Sequence, residues 1–318
     1  MRRAALDVVG CPSCSGRLGP DPPSAEDGET GTLRCPRDGH EFPVVEGVPR
    51  LVRPEDVPAV ARFADSYAGT WAKDGWGASD AEYLNGLPFR DSTGRRSAEW
   101  RVKARSMEAL FRFLGEGPPM RVADLGCGMG WLSHHLASRG HEVYAVDVLL
   151  DDSLGLGAAG TYARAGPFFE RVWGEMVPAP FQSAQLDLVV CNASLHYAPD
   201  LASAGREISR ILRPGGRCIV MNSPVYRTPE SALRAETDFR KHLSDLGGGP
   251  DLTSRYHHLL LSDFIPSLTH EVGEVTPVEF DPGRWFRLSR RMKGAALRME
   301  LAAFPMFCVT KPASSARG

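Results

Sequence analysis

Two stretches before residue 120 repeat apolar positions every three to four residues, and the chain beyond 120 turns to short apolar runs broken by glycine and polar clusters. After the "RPEDVP" linker, Phe63, Tyr67 and Trp71 stand four apart and share one helical face. A second helix is predicted over roughly Ser97 to Leu114. Its inner face carries Trp100, Ala104, Met107, Phe111 and Leu114, and Arg101, Arg105 and Arg112 turn outward. From 120 onward the pattern alternates, with strands predicted at "RVADL", "HEVYAVD", "FFERVW", "LDLVVCN" and "RCIVMN". The clearest helix, "LASAGREISRIL", is ended by "RPGG". Two further strands, "THEVGEVTPVEF" and "FPMFCVTK", flank a helical region at about 284–299. Strands alternating with helices imply an α/β fold with a parallel sheet wound on both faces.

The first 53 residues read differently. "CPSCSGRL", a polar loop "GPDPPSAEDGETG" and "TLRCPRDGHEFPVVEGVPRLV" hold too little apolar material for a core of their own, so another part of the chain must hold them. The expected organisation is a ribbon-like segment at 1–53, a linker with helices at 54–118, and a main domain at 119–312 with an insertion at about 223–266.

Composition narrows the function classes. The 318 residues are 42% hydrophobic and 24% charged with a formal net charge of -2, the balance of a globular protein without a positive field to recruit nucleic acid. No stretch approaches the roughly 18–20 apolar residues that span a bilayer. The start, "MRRAALDVVGCPSC", lacks a signal-peptide core, so a cytoplasmic protein with no membrane partner is expected. Seven cysteines, an odd number, agree with a reducing compartment, and Cys127, Cys191, Cys218 and Cys308 read as small buried hydrophobes.

The chemistry concentrates in "RVADLGCGMG", where a strand runs into a helix through Gly126, Gly128 and Gly130. Missing side chains there let a ligand lie against backbone and helix N–H groups. Asp147 closes the next strand, placed to accept both hydroxyls of a ribose. A dinucleotide is disfavoured because Trp131 occupies the third glycine position of its usual motif and because Asp124 would repel a pyrophosphate. The same Asp124 would attract an ammonium, and Glu175 in "VWGEMVPAPF" stands where an acid or its neighbouring backbone meets an adenine amino group. A ligand with ammonium, ribose and adenine but no phosphate is S-adenosylmethionine.

At these residues the chain resembles the class I S-adenosylmethionine-dependent methyltransferases, over about 120–225. "VADLGCGMG" looks like the glycine loop, "VYAVD" the ribose-binding strand end, "GEMVPAPF" the acidic loop, and "LDLVVCNASLHYAPD" through "EISRILRPGGRCIVMN" the fourth and fifth strands. The resemblance implies a Rossmann-like seven-stranded sheet whose last strand, here "FPMFCVTK", runs antiparallel. It implies that Gly126, Gly128 and Gly130 hold the methionine and ribose region, that Asp147 holds the ribose and Glu175 the adenine side, and that Asn192 lies beside the sulfonium. In that fold "NASLHY" faces the methyl group, which makes His196 a candidate base; its bland alternative is a packed histidine. His257 and His258 are weaker candidates. Tyr67 and Trp71 are either a lid or simply core, and Arg101 and Arg105 a solvated face. The absence of "NPPY" argues against some amino-directed DNA and protein methyltransferases.

Cys11-Pro-Ser-Cys14 and Cys35-Pro-Arg-Asp-Gly-His40 look like the two knuckles of a small structural zinc ribbon. The expected ligands are Cys11, Cys14, Cys35 and His40, with Asp38 as the runner-up. The segment also resembles the short zinc-ribbon proteins and domains that accompany methyltransferases. A small-molecule acceptor is expected, because the inserted segment at 223–266 lies where a roof over the acceptor pocket would form. The alternatives are a ribosomal RNA guanine methyltransferase, a non-catalytic binding protein of the same fold, and a ribbon that docks a protein partner.

Overall fold

The computed structural model describes residues 1–21 and 30–313, and residues 22–29 of the predicted polar loop lie outside them. Four short strands, β1 (Gly19–Asp21), β2 (Gly31–Arg34), β3 (Glu41–Val45) and β4 (Val48–Pro49), form an antiparallel sheet in chain order. Strand β3 alternates exposed Glu41, Pro43 and Val45 with buried Phe42 and Val44, the period of a half-buried strand. Helices α1 (Val57–Lys73), α2 (Ala81–Gly86) and α3 (Ser97–Leu114) follow.

The main sheet is built from β5 (Arg121–Leu125), β6 (Glu142–Asp147), β7 (Glu170–Trp173), β8 (Leu186–Asn192), β9 (Leu212–Met221), β12 (Glu274–Val278) and β13 (Met306–Thr310). Its order is β12-β13-β9-β8-β5-β6-β7, with β13 antiparallel to both neighbours and all other pairings parallel. The expected antiparallel last strand is therefore present. Strand β9 begins earlier than "RCIVMN", since "RPGG" is taken into it across a register shift opposite Leu186 and Leu188. Crossovers are made by α4 (Trp131–Ala137), α5 (Leu156–Ala165), α6 (Leu201–Ile211) and α9 (Leu261–Glu271). Helix α6 starts on Asp200, whose carboxylate accepts the Ser203 N–H at 2.7 Å, so the cap fixes where the helix begins.

Between β9 and α9 the chain makes an excursion through β10 (Val225–Tyr226), α7 (Pro229–Asp245), α8 (Pro250–Arg255) and β11 (Leu259–Leu260). Because α9 packs on the sheet beside α6, the excursion closes at β11. Helix α10 (Arg284–Leu297) joins β12 to β13 and has no buried residue.

The amino-terminal sheet has no core to itself. Val8, Val9, Leu18, Phe42 and Leu51 belong to one cluster with Tyr144, Val146 and Phe181 of the main domain. Backbone bonds stitch the two together: Leu51 N–H donates to Trp173 O at 2.8 Å, Gly10 N–H to Pro180 O at 3.0 Å and Gln182 N–H to Val8 O at 2.9 Å. Arg50 pairs in parallel with Trp173, so the segment continues the main sheet past its β7 edge.

Candidate functional site

The parallel strands β5, β6 and β8 end side by side at the carboxyl end of the sheet, and the turn after β5 forms the floor of the site. Gly126, Gly128 and Gly130 have φ of +75°, +53° and +75°, a region that side-chain-bearing residues rarely adopt. A Cβ on Gly126 would stand 2.4 Å from the Ser194 Cβ, and one on Gly130 would stand 2.8 Å from the Ala159 Cβ. The first glycine thus lets the loop pass under the β8 end, and the third lets α4 pack on α5.

The loop is tied to the next strand by Asp147. Its Oδ2 accepts the Gly128 N–H at 2.7 Å and its Oδ1 accepts the Leu149 N–H at 2.8 Å. Burial pushes this carboxyl up to about 6 in spite of those bonds. A carboxylate offers about four lone-pair sites, so acceptor capacity remains for a hydroxyl donor. Asp124 is more deeply enclosed: its Oδ2 accepts from Ser133 Oγ at 2.7 Å, and its Oδ1 has no partner among the described residues. Burial pushes it up to about 7. It lines neither of the two cavities described next.

Two cavities meet at the glycine loop, with Tyr67, Gly126, Gly128, Ala193 and Tyr197 lining both. The smaller, about 110 Å³, is walled by Asp147, Glu175, Phe63 and Arg255 among others. Glu175 is paired with Arg255 of α8 at 2.9 Å, and burial raises its pKa against that pairing. The Arg255 guanidinium lies 4.8 Å over the Phe63 ring. One ion pair therefore closes the inserted segment over this cavity.

The larger cavity, about 510 Å³, reaches from the loop to the aromatic side chains of Trp71, Trp76, Trp100, Tyr226, Tyr256 and Phe304. Asn192 lines it, and its Oδ1 accepts from Asn222 Nδ2 at 2.8 Å. His196 lines it too, buried, with Nδ1 3.2 Å from Ser223 Oγ and its ring 4.5 Å from Tyr197 and 4.8 Å from Tyr256. Burial pulls its pKa down to about 3, so the imidazole is neutral throughout the physiological range. His257 and His258 do not line the cavity; the His257 N–H donates to His196 O at 2.8 Å. Arg101 and Arg105 are exposed.

Two cations in this cavity were missed by the sequence reading. The Lys103 ammonium lies 5.7 Å from the Trp76 ring and 5.8 Å from the Trp100 ring, and burial pulls it down to about 8 against the nearby Glu99 carboxylate. Arg290 of α10 stacks near Phe286 and Phe304 on the opposite wall and donates to Ala302 O. The signal for Lys103 was present: it stands three after Trp100 and four before Met107 on the inner face of α3.

In the amino-terminal sheet, ligand atoms of Cys11, Cys14, Cys35 and Asp38 all lie within 4.8 Å of one another. The Asp38 carboxylate is 3.2 Å from the Cys11 sulfur, and the Cys14 and Cys35 sulfurs are 3.5 Å apart. Each knuckle closes on its first cysteine, with Ser15 N–H donating to Cys11 O at 2.8 Å and Gly39 N–H to Cys35 O at 2.9 Å. The second knuckle brings the Asp38 carboxylate into the cluster; the sequence ranks His40 first and Asp38 second as the fourth ligand. The physical reason is spacing: Cys35 to Asp38 repeats the three-residue step of Cys11 to Cys14, whereas His40 lies beyond the turn. His40 Nδ1 stands 3.5 Å from Asp38 Oδ1. Three sulfurs and one oxygen this close suit a tetrahedral zinc ion.

Comparison with known proteins agrees with this geometry. Residues 123–220 match the methyltransferase domain family, and residues 2–47 match the Trm112p-like protein family. A ubiquinone biosynthesis O-methyltransferase of Psychrobacter cryohalolentis is 32% identical over 119 residues, 36% of this chain and 44% of that protein. A demethylmenaquinone methyltransferase of Mycolicibacterium paratuberculosis is 35% identical over 144 residues, 45% of this chain and 55% of that protein. The chain thus spans about half the length of these curated relatives. Among solved structures, a geranyl diphosphate methyltransferase in complex with GPP and sinefungin superposes with a TM-score of 0.54 at 20% identity, covering 80% of this chain and 99% of the other. Fold, glycine loop and cysteine cluster thus lead to one conclusion: this chain joins a Trm112p-like segment to a domain with the class I methyltransferase fold.

Proposed function

We propose that the chain transfers a methyl group from S-adenosylmethionine to an oxygen or nitrogen of a small organic molecule. The observation that carries this reading is the pair of cavities that meet at the glycine loop, one beside buried carboxylates and one walled by aromatic rings. The adenosine part is assigned to the smaller, where Asp147 has lone pairs left for ribose hydroxyls and Glu175, paired with Arg255, stands on the wall assigned to adenine. The methionine arm passes Gly126 and Gly128, and the unpartnered Asp124 Oδ1 marks a nearby uncompensated negative group that suits an ammonium. When bound, the sulfonium supplies an activated methyl group with its own leaving group.

The chain's residues then have the tasks of holding an acceptor in line and keeping water out. Trp71, Trp76, Trp100 and Tyr256 give the larger cavity walls that exclude water. His196, kept neutral by burial, orients an acceptor hydroxyl through its ring nitrogen and is a weak base. A cavity of about 510 Å³ walled largely by aromatic rings is of the size that takes a compact ligand. A splayed RNA loop needs an open basic groove instead. The ubiquinone and menaquinone enzymes among the relatives bear names of small-molecule methyl transfer, which supports the same choice.

We further assign zinc to Cys11, Cys14, Cys35 and Asp38, as a structural ion that closes the two knuckles. The function is tested by incubating the protein with labelled S-adenosylmethionine and cell extract separated into small-molecule, RNA and protein fractions. Label in the small-molecule fraction is the expected result. Label confined to ribosomal RNA overturns the choice of acceptor, and no binding of S-adenosylhomocysteine by calorimetry overturns the reading as a whole.

A further inference from the structure

Helix α10 turns two unlike faces in two directions. Phe286 and Arg290, one turn apart, line the larger cavity. Around the helix from them, Trp285, Leu288 and Met292 form an outward stripe at spacings of three and four, exposed by 70%, 47% and 66%. Ala295, at the next step of the same spacing, extends it and is exposed as well. Arg284, Arg287 and Arg291 flank the stripe on one side and Lys293 on the other, and Arg298 follows the helix end, all exposed. The helix itself, RWFRLSRRMKGAAL, contains no acid. Arg287 is paired with Asp281, which precedes the helix, and Arg284 lies over the Trp285 ring at 5.3 Å. An uncovered tryptophan, leucine and methionine on one helix of a chain with net charge -2 require an explanation.

We propose that this face of α10 docks on an anionic phospholipid surface, with the helix lying in the plane of the interface. Burying the stripe among headgroups and acyl chains removes apolar area from water, and the flanking arginines and lysine meet lipid phosphates. Charge complementarity decides between occupants. A second copy of the chain would bring two acid-free basic helices against each other, and like charges oppose that pairing. A structured RNA would answer the cations and leave Leu288 and Met292 in water. The inference revises the sequence expectation of no membrane partner. That expectation rested on spanning length, and indeed no helix among the described residues is long and apolar enough to cross a bilayer. Lying on a surface makes no such demand.

The shared helix gives docking a consequence for the site. Because Phe286 and Arg290 wall the cavity, a docked α10 brings the cavity to the interface, where an apolar acceptor partitions. That consequence rests on the methyl-transfer reading; the docking does not, so the two can fail separately.

The test is co-sedimentation of the full chain with vesicles of phosphatidylcholine alone and of phosphatidylcholine mixed with phosphatidylglycerol. Binding to the mixed vesicles, weakened by salt and nearly absent on the neutral ones, is expected. The double variant W285S/L288S should lose at least tenfold in vesicle affinity. Arg291→Glu should lose more than the roughly fivefold expected for one cation, because it also introduces a repelled charge. Circular dichroism and S-adenosylhomocysteine affinity should remain those of the wild type, since none of these three side chains lines a cavity. Equal sedimentation of wild type and variants, no sedimentation with either vesicle, or light scattering that reveals a dimer dissolved by Leu288→Ser would each overturn the proposal. So would tight binding to structured RNA that W285S/L288S leaves intact.

Discussion

Replacing Asp124 with asparagine removes a charge that the folded chain holds in a poor environment. The carboxyl is buried, accepts one hydrogen bond at 2.7 Å from Ser133 and leaves Oδ1 without a partner among the described residues. Burial pushes it up to about 7, against about 3.9 in an unfolded chain. The folded state therefore binds the proton more tightly. Wild-type stability should fall as pH rises between those two values, and the loss should persist above them. Asparagine keeps an acceptor for Ser133 and never ionises. Its amide adds a buried donor, but that contribution does not change with pH. Comparing variant with wild type at about pH 5 and again at about pH 8 cancels it, and leaves a relative loss for the wild type of about 2 to 3 kcal/mol. Urea unfolding followed by tryptophan fluorescence reads the difference. A saturating S-adenosyl ligand should shrink the gap at the higher pH, because its ammonium compensates the charge. A gap that is the same at both pH values, or that shrinks as pH rises without ligand, would refute the argument from burial.

Other outcomes follow from the same geometry. Asp147→Ala should weaken S-adenosylhomocysteine binding about 10- to 100-fold in calorimetry, the range for a lost charge-assisted hydrogen bond; unchanged affinity removes the ribose assignment. Protein purified without chelator should carry close to one zinc per chain, and Asp38→Ala should lower zinc retention more than His40→Ala, with the opposite order reassigning the fourth ligand. Because His196 is already neutral from about pH 4 upward, the pH profile of kcat/KM should lack a limb near the ordinary histidine value. A limb there that disappears in His196→Asn would show that the ring is better solvated than its surroundings imply.

The strands and the glycine loop were legible because their signals are local. A short apolar run between glycines defines a strand such as β8, and the helix at 97–114 coincides with α3 because its inner face repeats faithfully over five turns. The positive φ of Gly126, Gly128 and Gly130 is likewise a property of the residue type. What periodicity concealed was the charged side chain that folds inward. Arg255 and Arg290 have no periodic signal of their own, yet each brings its guanidinium beside an aromatic ring on a cavity wall. The "THEVGEVTPVEF" run was read as a strand from its start. In the structure α9 continues to Glu271 and the strand covers only Glu274–Val278, because helix packing against α6 outweighs the β-branched residues at that junction. At the cysteine cluster, the three-residue step from Cys35 brings the Asp38 carboxylate beside the three sulfurs, a closeness that depends on the turn and not on residue type.

The seam between the amino-terminal sheet and the β7 edge has a consequence for how the chain can be cut. An edge strand with free N–H and C=O groups is a template for pairing with another chain. Here Trp173 is paired with Arg50 and bonded to Leu51, and Phe181 is paired with Val9, all from a segment tethered to the same polypeptide. The tether makes that pairing independent of protein concentration, so dilution does not uncover the edge. A fragment starting at 54 would lose Val8, Val9 and Leu51 from the shared cluster and bare β7 together with the apolar surface around Phe181 and Tyr144. Such a fragment should associate with itself through the exposed edge, whereas adding the separate 1–53 peptide should protect it only at concentrations high enough to replace the lost connection.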